Sequence, residues 1–151
     1  MSISNLFGVN QYDLNAKSIA FGDEPLNKYD ENAVIATFSG ALNTTSNVRL
    51  TRVGRMVFVS LLPFGGGTLT AGILTSDAVI PVDLRPAQSV SVISICVVGA
   101  NQVSARFTLL NTGNFQVTNS AVSGANLLYG QNFPNATAIS TLDVVSFVYN
   151  V

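Results

Sequence analysis

"QVSARFTLLNTGNFQVTN", residues 102–119, alternates apolar and polar side chains on both sides of a short Asn–Thr–Gly break. Val103, Ala105, Phe107 and Leu109 share one parity; Gln102, Ser104, Arg106 and Thr108 share the other. Successive side chains of a strand point to opposite faces, so a period of two reads as a half-buried strand and not as a helix. Asn111 to Gly113 supplies a hairpin turn in which Gly113 is suited to a positive φ. Phe115 and Val117 then continue the inward face.

The same pattern extends outward along the chain. "AVIATFSGAL", residues 33–42, places Val34, Ala36, Phe38 and Leu42 on one face, opposite mostly small or polar residues. Further strand candidates are residues 47–53, 56–62, 68–74, 78–82, 89–98, 125–129 and 142–151. Nine or ten short strands separated by Gly, Asn and Pro, with no convincing helical period, predict an all-β sandwich or barrel.

Two of these strands are apolar on both parities. "SVSVISICVV" carries Val90, Val92, Cys96 and Val98 on one face and Ile93, Ile95 and Val97 on the other. "LDVVSFVYNV" sets Leu142, Val144 and Val148 against Val145, Phe147 and Tyr149. Strands of this kind are buried on both faces, and the outer face of a two-layer sandwich is ordinarily wet. The pattern therefore calls for a second sheet or another subunit over each.

Residues 1–32 read differently. They are polar, hold five of the eight acidic residues (Asp13, Asp23, Glu24, Asp30 and Glu31), and scatter their apolar positions without a sustained period. The expectation is an extended N-terminal arm that anchors the protein to neighbours, with Leu6, Phe7, Val9, Tyr12 and Leu14 as its contacts, followed by a single β-sandwich over 33–151.

Composition bounds the function. Of 151 residues only 10% are charged, against roughly 25% in typical soluble domains. A mean hydropathy of +0.42 with so little charge predicts an obligate homo-oligomer whose interfaces hide apolar surface. The net charge of −1 steers toward neither nucleic acid nor an anionic membrane. Ser, Gly, Pro or Asn interrupts every apolar run before the ~18 residues of a spanning helix, so no membrane insertion is expected. Nine Phe, four Tyr and no Trp make a weak case for the aromatic girdles of a membrane barrel. The first residues lack a basic region followed by an apolar one, and the single Cys96 has no disulfide mate, which together predict synthesis in the cytoplasm.

Candidate sites are few. "RLTRVGRMVFVSL", residues 49–61, clusters Arg49, Arg52 and Arg55 around Gly54. Reading Val53–Gly54 as a two-residue turn sets Arg52 opposite Arg55, an unfavourable like-charge pair. Three readings stand, in falling order: a solvated hairpin tip; charges at a subunit interface, neutralised by a carboxylate from another subunit or from the acidic arm; and phosphate binding. "PFGGGTL", residues 63–69, has glycines but no Gly-Lys-Ser/Thr and no following helix, so it reads as a loop and not as a phosphate cradle. The chain has no histidine, and the arm carboxylates lack EF-hand spacing. No Ser-His or Cys-His dyad is therefore available, and the reading is a non-enzyme with no cofactor and no metal.

The succession "VRLTRVGRMVFVSL", "IPVDLRPAQSV", "SARFTLLNTGNFQVTN" and "LDVVSFVYNV" resembles the C-terminal head domains of viral and phage fibres and receptor-binding spikes. The matching residues are Val53, Gly54 and Val57 in a hairpin, then Pro81, Arg85 and Pro86 in a loop. Gly113, Phe115 and Val117 follow in a second hairpin, and Phe147 and Tyr149 in the last strand. The resemblance covers about residues 48–151 and rests on hairpin chemistry. It implies a jelly-roll-like sandwich, usually trimeric, fixed by its N-terminal segment to other virion proteins and able to engage a host-surface receptor or glycan. No shaft repeat precedes the head-like part, which leaves room for a capsid-bound spike or minor capsid protein. Two alternatives remain open: a purely structural single jelly roll such as a penton or cement component, and a carbohydrate-binding module using Tyr12, Tyr29, Tyr129 or Tyr149.

Overall fold

The computed structural model describes residues 19–21, 24–26, 28–39, 41–42, 44–65, 67–69, 72–123, 126–133 and 138–151. Among them are fourteen strands and no α-helix, so the expected all-β antiparallel sandwich is the architecture found. One single-turn 3-10 helix, Val82–Leu84, interrupts the strands.

One layer is built from β14 (Val145–Asn150), β6 (Met56–Leu61), β5 (Thr45–Val53) and the first part of β3 (Lys28–Ser39), in that order. The other continues from the end of β3 through β8 (Leu74–Ala78), β11 (Asn114–Ser123), β10 (Asn101–Leu109), β9 (Val90–Val98), β13 (Ala138–Thr141), β7 (Gly67–Leu69) and β4 (Ala41–Leu42). β12 (Asn126–Gln131) pairs with the far half of β11. β1 (Ile19–Phe21) and β2 (Glu24–Leu26) form a small hairpin of their own.

β3 joins the two layers. Lys28 to Glu31 pair with Val53 to Leu50, the register shifts before Val34, and Val34 to Thr37 resume opposite Val48 to Thr45. Phe38 and Ser39 then pair with Ser76 and Thr75 of β8. A bulge adds twist and bends its strand; the change of partner from β5 to β8 comes four residues beyond it, at Phe38, so that one strand serves both sheets of a curled half-barrel. The strand begins at Lys28, five residues before the expected boundary at Ala33, and the β1–β2 hairpin falls in the segment expected to be an irregular arm.

Alternation places the core between the layers. β5 buries Ser46, Val48 and Leu50, and β6 buries Val57, Val59 and Leu61. From the opposite layer come Leu74, Cys96, Ala105, Phe107, Leu109, Phe115, Val117 and Ile139. Phe115 and Phe147 meet across the interior with ring centroids 5.7 Å apart, and Phe38 meets Phe64 at 5.1 Å. Polar tethers hold the crossings. Phe64 N–H donates to Thr141 Oγ1 at 3.1 Å, Thr141 N–H returns a bond to Phe64 O at 2.7 Å, and Ser76 Oγ accepts from Phe115 N–H at 2.8 Å.

The hairpin that decided the fold has the expected geometry. Leu109 pairs with Phe115, and Gly113 closes the loop at φ 88° while donating to Leu110 O. The candidate at 78–82 is not a strand. Pro81 has no N–H for a ladder, and the chain turns into the 3-10 helix instead. The candidate at 142–151 starts later than expected, as β14 at Val145; Leu142, Asp143 and Val144 link it to β13 in the other layer.

Candidate functional site

The three arginines do not converge. Val53 pairs with Met56, so the two-residue turn is Gly54–Arg55, one position later than the sequence reading, and Gly54 holds φ 61°. Arg52 lies opposite Val57, not Arg55, and the expected like-charge pair is absent. On β5, Arg52 has the parity of Val48 and Leu50 and is half-buried. Its Nε donates to Gly54 O at 2.6 Å, so the guanidinium closes its own turn. Arg55 is exposed, and its carbonyl accepts from Val151 N–H at 2.9 Å, which ties down the end of β14. Arg49 faces the opposite way, exposed on the outer face of the layer opposite Ser60.

That outer face is the larger feature. The parity of β6 that points away from the core carries Met56 and Phe58, 44% and 39% exposed. Phe58 pairs directly with Val148 of β14, itself 52% exposed, and Val144 continues the face at 50%. Ile35 on β3, 56% exposed, lies opposite Asn47 at the other end of the sheet. Interspersed are Ser60 and Ser146, whose hydroxyls hydrogen-bond at 3.2 Å. Single exposed apolar residues are ordinary; here Met56, Phe58 and Val148 lie together across two strands, with Arg49 as the charged side chain on the same face.

A second apolar strip lies on β9. Ile93 and Ile95 are 59% and 47% exposed and Val97 is half-buried, while Cys96 and Val98 point inward. On β14, Val145 and Phe147 are buried and Tyr149 is half-buried, but Val144 and Val148 are open. Within one chain, then, each of the two strands read as doubly buried is covered on one face only. β14 runs beside β9 without pairing to it. Tyr149 ties β14 to the 3-10 helix: its hydroxyl donates to Leu84 O at 2.6 Å, and burial holds the phenol well above the ordinary tyrosine range.

Next to the β9 strip the outer face turns polar. Arg106 pairs with Ile93 on one side and with Thr118 on the other, and its guanidinium lies 5.0 Å from the centroid of the Tyr129 ring. The Tyr129 hydroxyl is 3.2 Å from Ser104 Oγ. Thr118 Oγ1 is the one buried side-chain polar atom among the described residues without a partner. The guanidinium covers one face of the Tyr129 ring.

The remaining candidates are quickly placed. Leu6, Phe7, Val9, Tyr12 and Leu14 lie outside the described residues. Cys96 is buried, and desolvation pushes its thiol up to about 12, the behaviour of a packing residue and not of a nucleophile. Among the described residues no group of three or more His, Cys, Asp or Glu lies together. No helix there is long and apolar enough to cross a membrane.

Sequence reasoning flagged β9 and β14 but passed over Met56 and Phe58. The signal was present, because "MVFVSL" is apolar on both parities for its first four residues. No protein-family model matches the chain, and no curated protein sequence matches it either.

Proposed function

We propose that this chain is a virion structural protein, a spike- or fibre-head-like surface component. It assembles as a homo-oligomer, with three copies favoured, and contributes to host attachment. The observation that supports this reading is the pair of uncovered apolar sheet faces on an otherwise well-packed sandwich with few charges. A chain this poor in charge with such faces open to water associates. In this reading residues 1–32 tie the oligomer to other virion proteins, and the exposed loops face the host.

The first test is the mass of the purified protein at micromolar concentration. Three times 15.9 kDa is the expected result, and a particle of 15.9 kDa overturns the reading. The second is binding of the purified oligomer to host cells. Saturable binding supports attachment. Incorporation into particles without cell binding instead assigns the protein to the purely structural class of penton or cement components.

A further inference from the structure

We propose that Arg106, Tyr129 and Thr118 form a binding site for a sugar that carries a carboxylate, on the outer face of β10, β11 and β12. The inference rests on the host-attachment part of the reading above and names the ligand class and the residues that hold it.

Register brings the three together. Arg106 on β10 lies directly opposite Thr118 on β11. Tyr129 comes from the far side of β11, where β12 sets it opposite Ser120. Its hydroxyl still reaches Ser104 Oγ on β10 at 3.2 Å, and its ring meets the Arg106 guanidinium at 5.0 Å. The two side chains therefore meet over β11, above Thr118. Ser120 Oγ donates to Ser104 O at 2.6 Å and fixes the strand beneath them. Thr118 is 5% exposed and its Oγ1 has no hydrogen-bond partner, a rare and costly state for a buried hydroxyl. Arg106 is the single charged residue between Val90 and Gln131. Among the described residues its guanidinium neither donates a hydrogen bond nor pairs with a carboxylate, whereas Arg52 and Arg85 each donate to a carbonyl.

The chemistry selects the ligand. A guanidinium held against a ring keeps its N–H edge open and loses less freedom when that edge is bound. The edge matches a carboxylate, whose two oxygens accept parallel N–H bonds. One guanidinium balances one carboxylate, while a phosphate dianion calls for more positive charge than this face holds. The surroundings are hydroxyls and amides: Ser91 and Thr108, hydrogen-bonded to each other at 2.8 Å, and Gln116. They favour a hydroxylated molecule over an acidic peptide. Ile93, opposite Arg106 and exposed, gives the C–H face of a sugar ring an apolar contact. As Arg106 turns toward the bound carboxylate, Thr118 Oγ1 opens to a ligand hydroxyl or a bridging water, which supplies the hydrogen bond it lacks.

The test is a nuclear magnetic resonance titration of the full-length chain with glucuronate and with N-acetylneuraminate, against glucose, acetate and inorganic phosphate. Saturable shifts of the Arg106 side-chain N–H and the Tyr129 ring are expected with at least one sugar acid in the millimolar range, with glucose silent and acetate weaker. Arg106→Gln should weaken that binding at least about 10-fold while circular dichroism shows the parental fold. If Arg106→Gln unfolds, Arg106→Lys replaces it, which keeps the charge and loses the fork. Thr118→Val should melt no lower than the parent, since no protein hydrogen bond is lost, and should weaken the sugar acid without changing acetate. Parental affinity in Thr118→Val removes Thr118 from the site. No shift with either sugar acid, or shifts that persist in Arg106→Gln, overturn the site. Equal binding of acetate, phosphate and the sugar acids overturns the ligand class, as does a capped aspartate peptide that binds tighter than either sugar acid. Cell binding that survives Arg106→Gln overturns the site and leaves attachment standing. A wild type that takes the sugar acid but binds no cells overturns attachment and leaves the site standing.

Discussion

Replacing Gly113 by alanine tests whether the fold depends on a single close approach between the β10–β11 turn and the loop before β9. Gly113 holds φ 88°, and a Cβ there would lie 2.6 Å from Arg85 Nε and 2.9 Å from Ile80 O. The backbone cannot drift away, because Gly113 O accepts from both Val79 N–H and Ile80 N–H at 3.1 and 3.3 Å. Nor is Arg85 free to leave without loss, since its Nε donates to Ile80 O at 2.9 Å. Left-handed backbone costs a non-glycine residue about 1–2 kcal/mol. Loss of the Arg85 hydrogen bond adds about 1 kcal/mol, and moving the Ile80 carbonyl adds an overpacking cost of about 1–3 kcal/mol. The smaller entropy of the unfolded alanine chain returns roughly 0.4–1 kcal/mol.

The net expectation is a loss of about 3 kcal/mol, which for a chain of this size lowers Tm by about 6–12 °C. Chemical denaturation of Gly113→Ala, Arg85→Ala and the double variant separates the parts. With Arg85 truncated, the side-chain clash is gone while the strain and the Ile80 contact remain. The double variant should therefore be more stable than additivity predicts by about 1 kcal/mol. A Gly113→Ala protein within about 0.5 kcal/mol of the parent would refute the argument, since that is the range of an unremarkable surface change.

Arg52→Ala should cost about 0.5–1.5 kcal/mol by removing the bond that closes the Gly54–Arg55 turn, while Arg55→Ala should stay within about 0.5 kcal/mol; urea denaturation of each variant distinguishes them. Stability should fall as pH rises from 9.0 toward 12, because the unfolded Cys96 thiol ionises from 9.0 upward while the folded one keeps its proton to about 12. Below 9.0 that contribution is fully present, and Cys96→Ala should flatten the dependence measured by denaturation across this window. Deleting residues 1–18 should leave the thermal transition nearly unchanged. Deleting 1–32 should lower it, because Lys28 to Glu31 supply half of the β3–β5 register; equal transitions in the two truncated proteins would show that this part of the ladder adds nothing.

Where apolar and polar residues alternate, the sequence determined both the element and its inward face. Val103 to Leu109 and Phe115 to Val117 illustrate this: Ala105, Phe107, Leu109, Phe115 and Val117 are all buried. Turn position was less legible at 53–55. Gly54 can serve as either the first or the second residue of a two-residue turn, and shifting it by one changes every cross-strand partner. The consequence was an Arg52–Arg55 pairing that the ladder does not contain. The start of β3 was hidden for another reason. Its first residues, Lys28 to Glu31, are charged or polar except Tyr29, and they are strand because β5 offers them a partner, not because of any pattern of their own.

The strands apolar on both parities show what periodicity leaves open. A run such as "VSVISICVV" says that both faces avoid water without saying which face meets the chain's own core. The structure resolves this through the cross-strand neighbours. Val92 sits opposite buried Phe107, whereas Ile93 sits opposite exposed Arg106, so the first parity is internal and the second external. The same reasoning assigns Phe147, paired with buried Val59, to the core, and Val148, paired with half-open Phe58, to the outside. Once the core has claimed one parity of each strand, the apolar residues of the other have no partner within the chain. Phe58 and Val148, or Ile93 and Ile95, contribute nothing to the interior, and their exposure lowers solubility in a chain with few charges to offset it. Their presence on β6, β14 and β9 is not accounted for by the folding of a single copy.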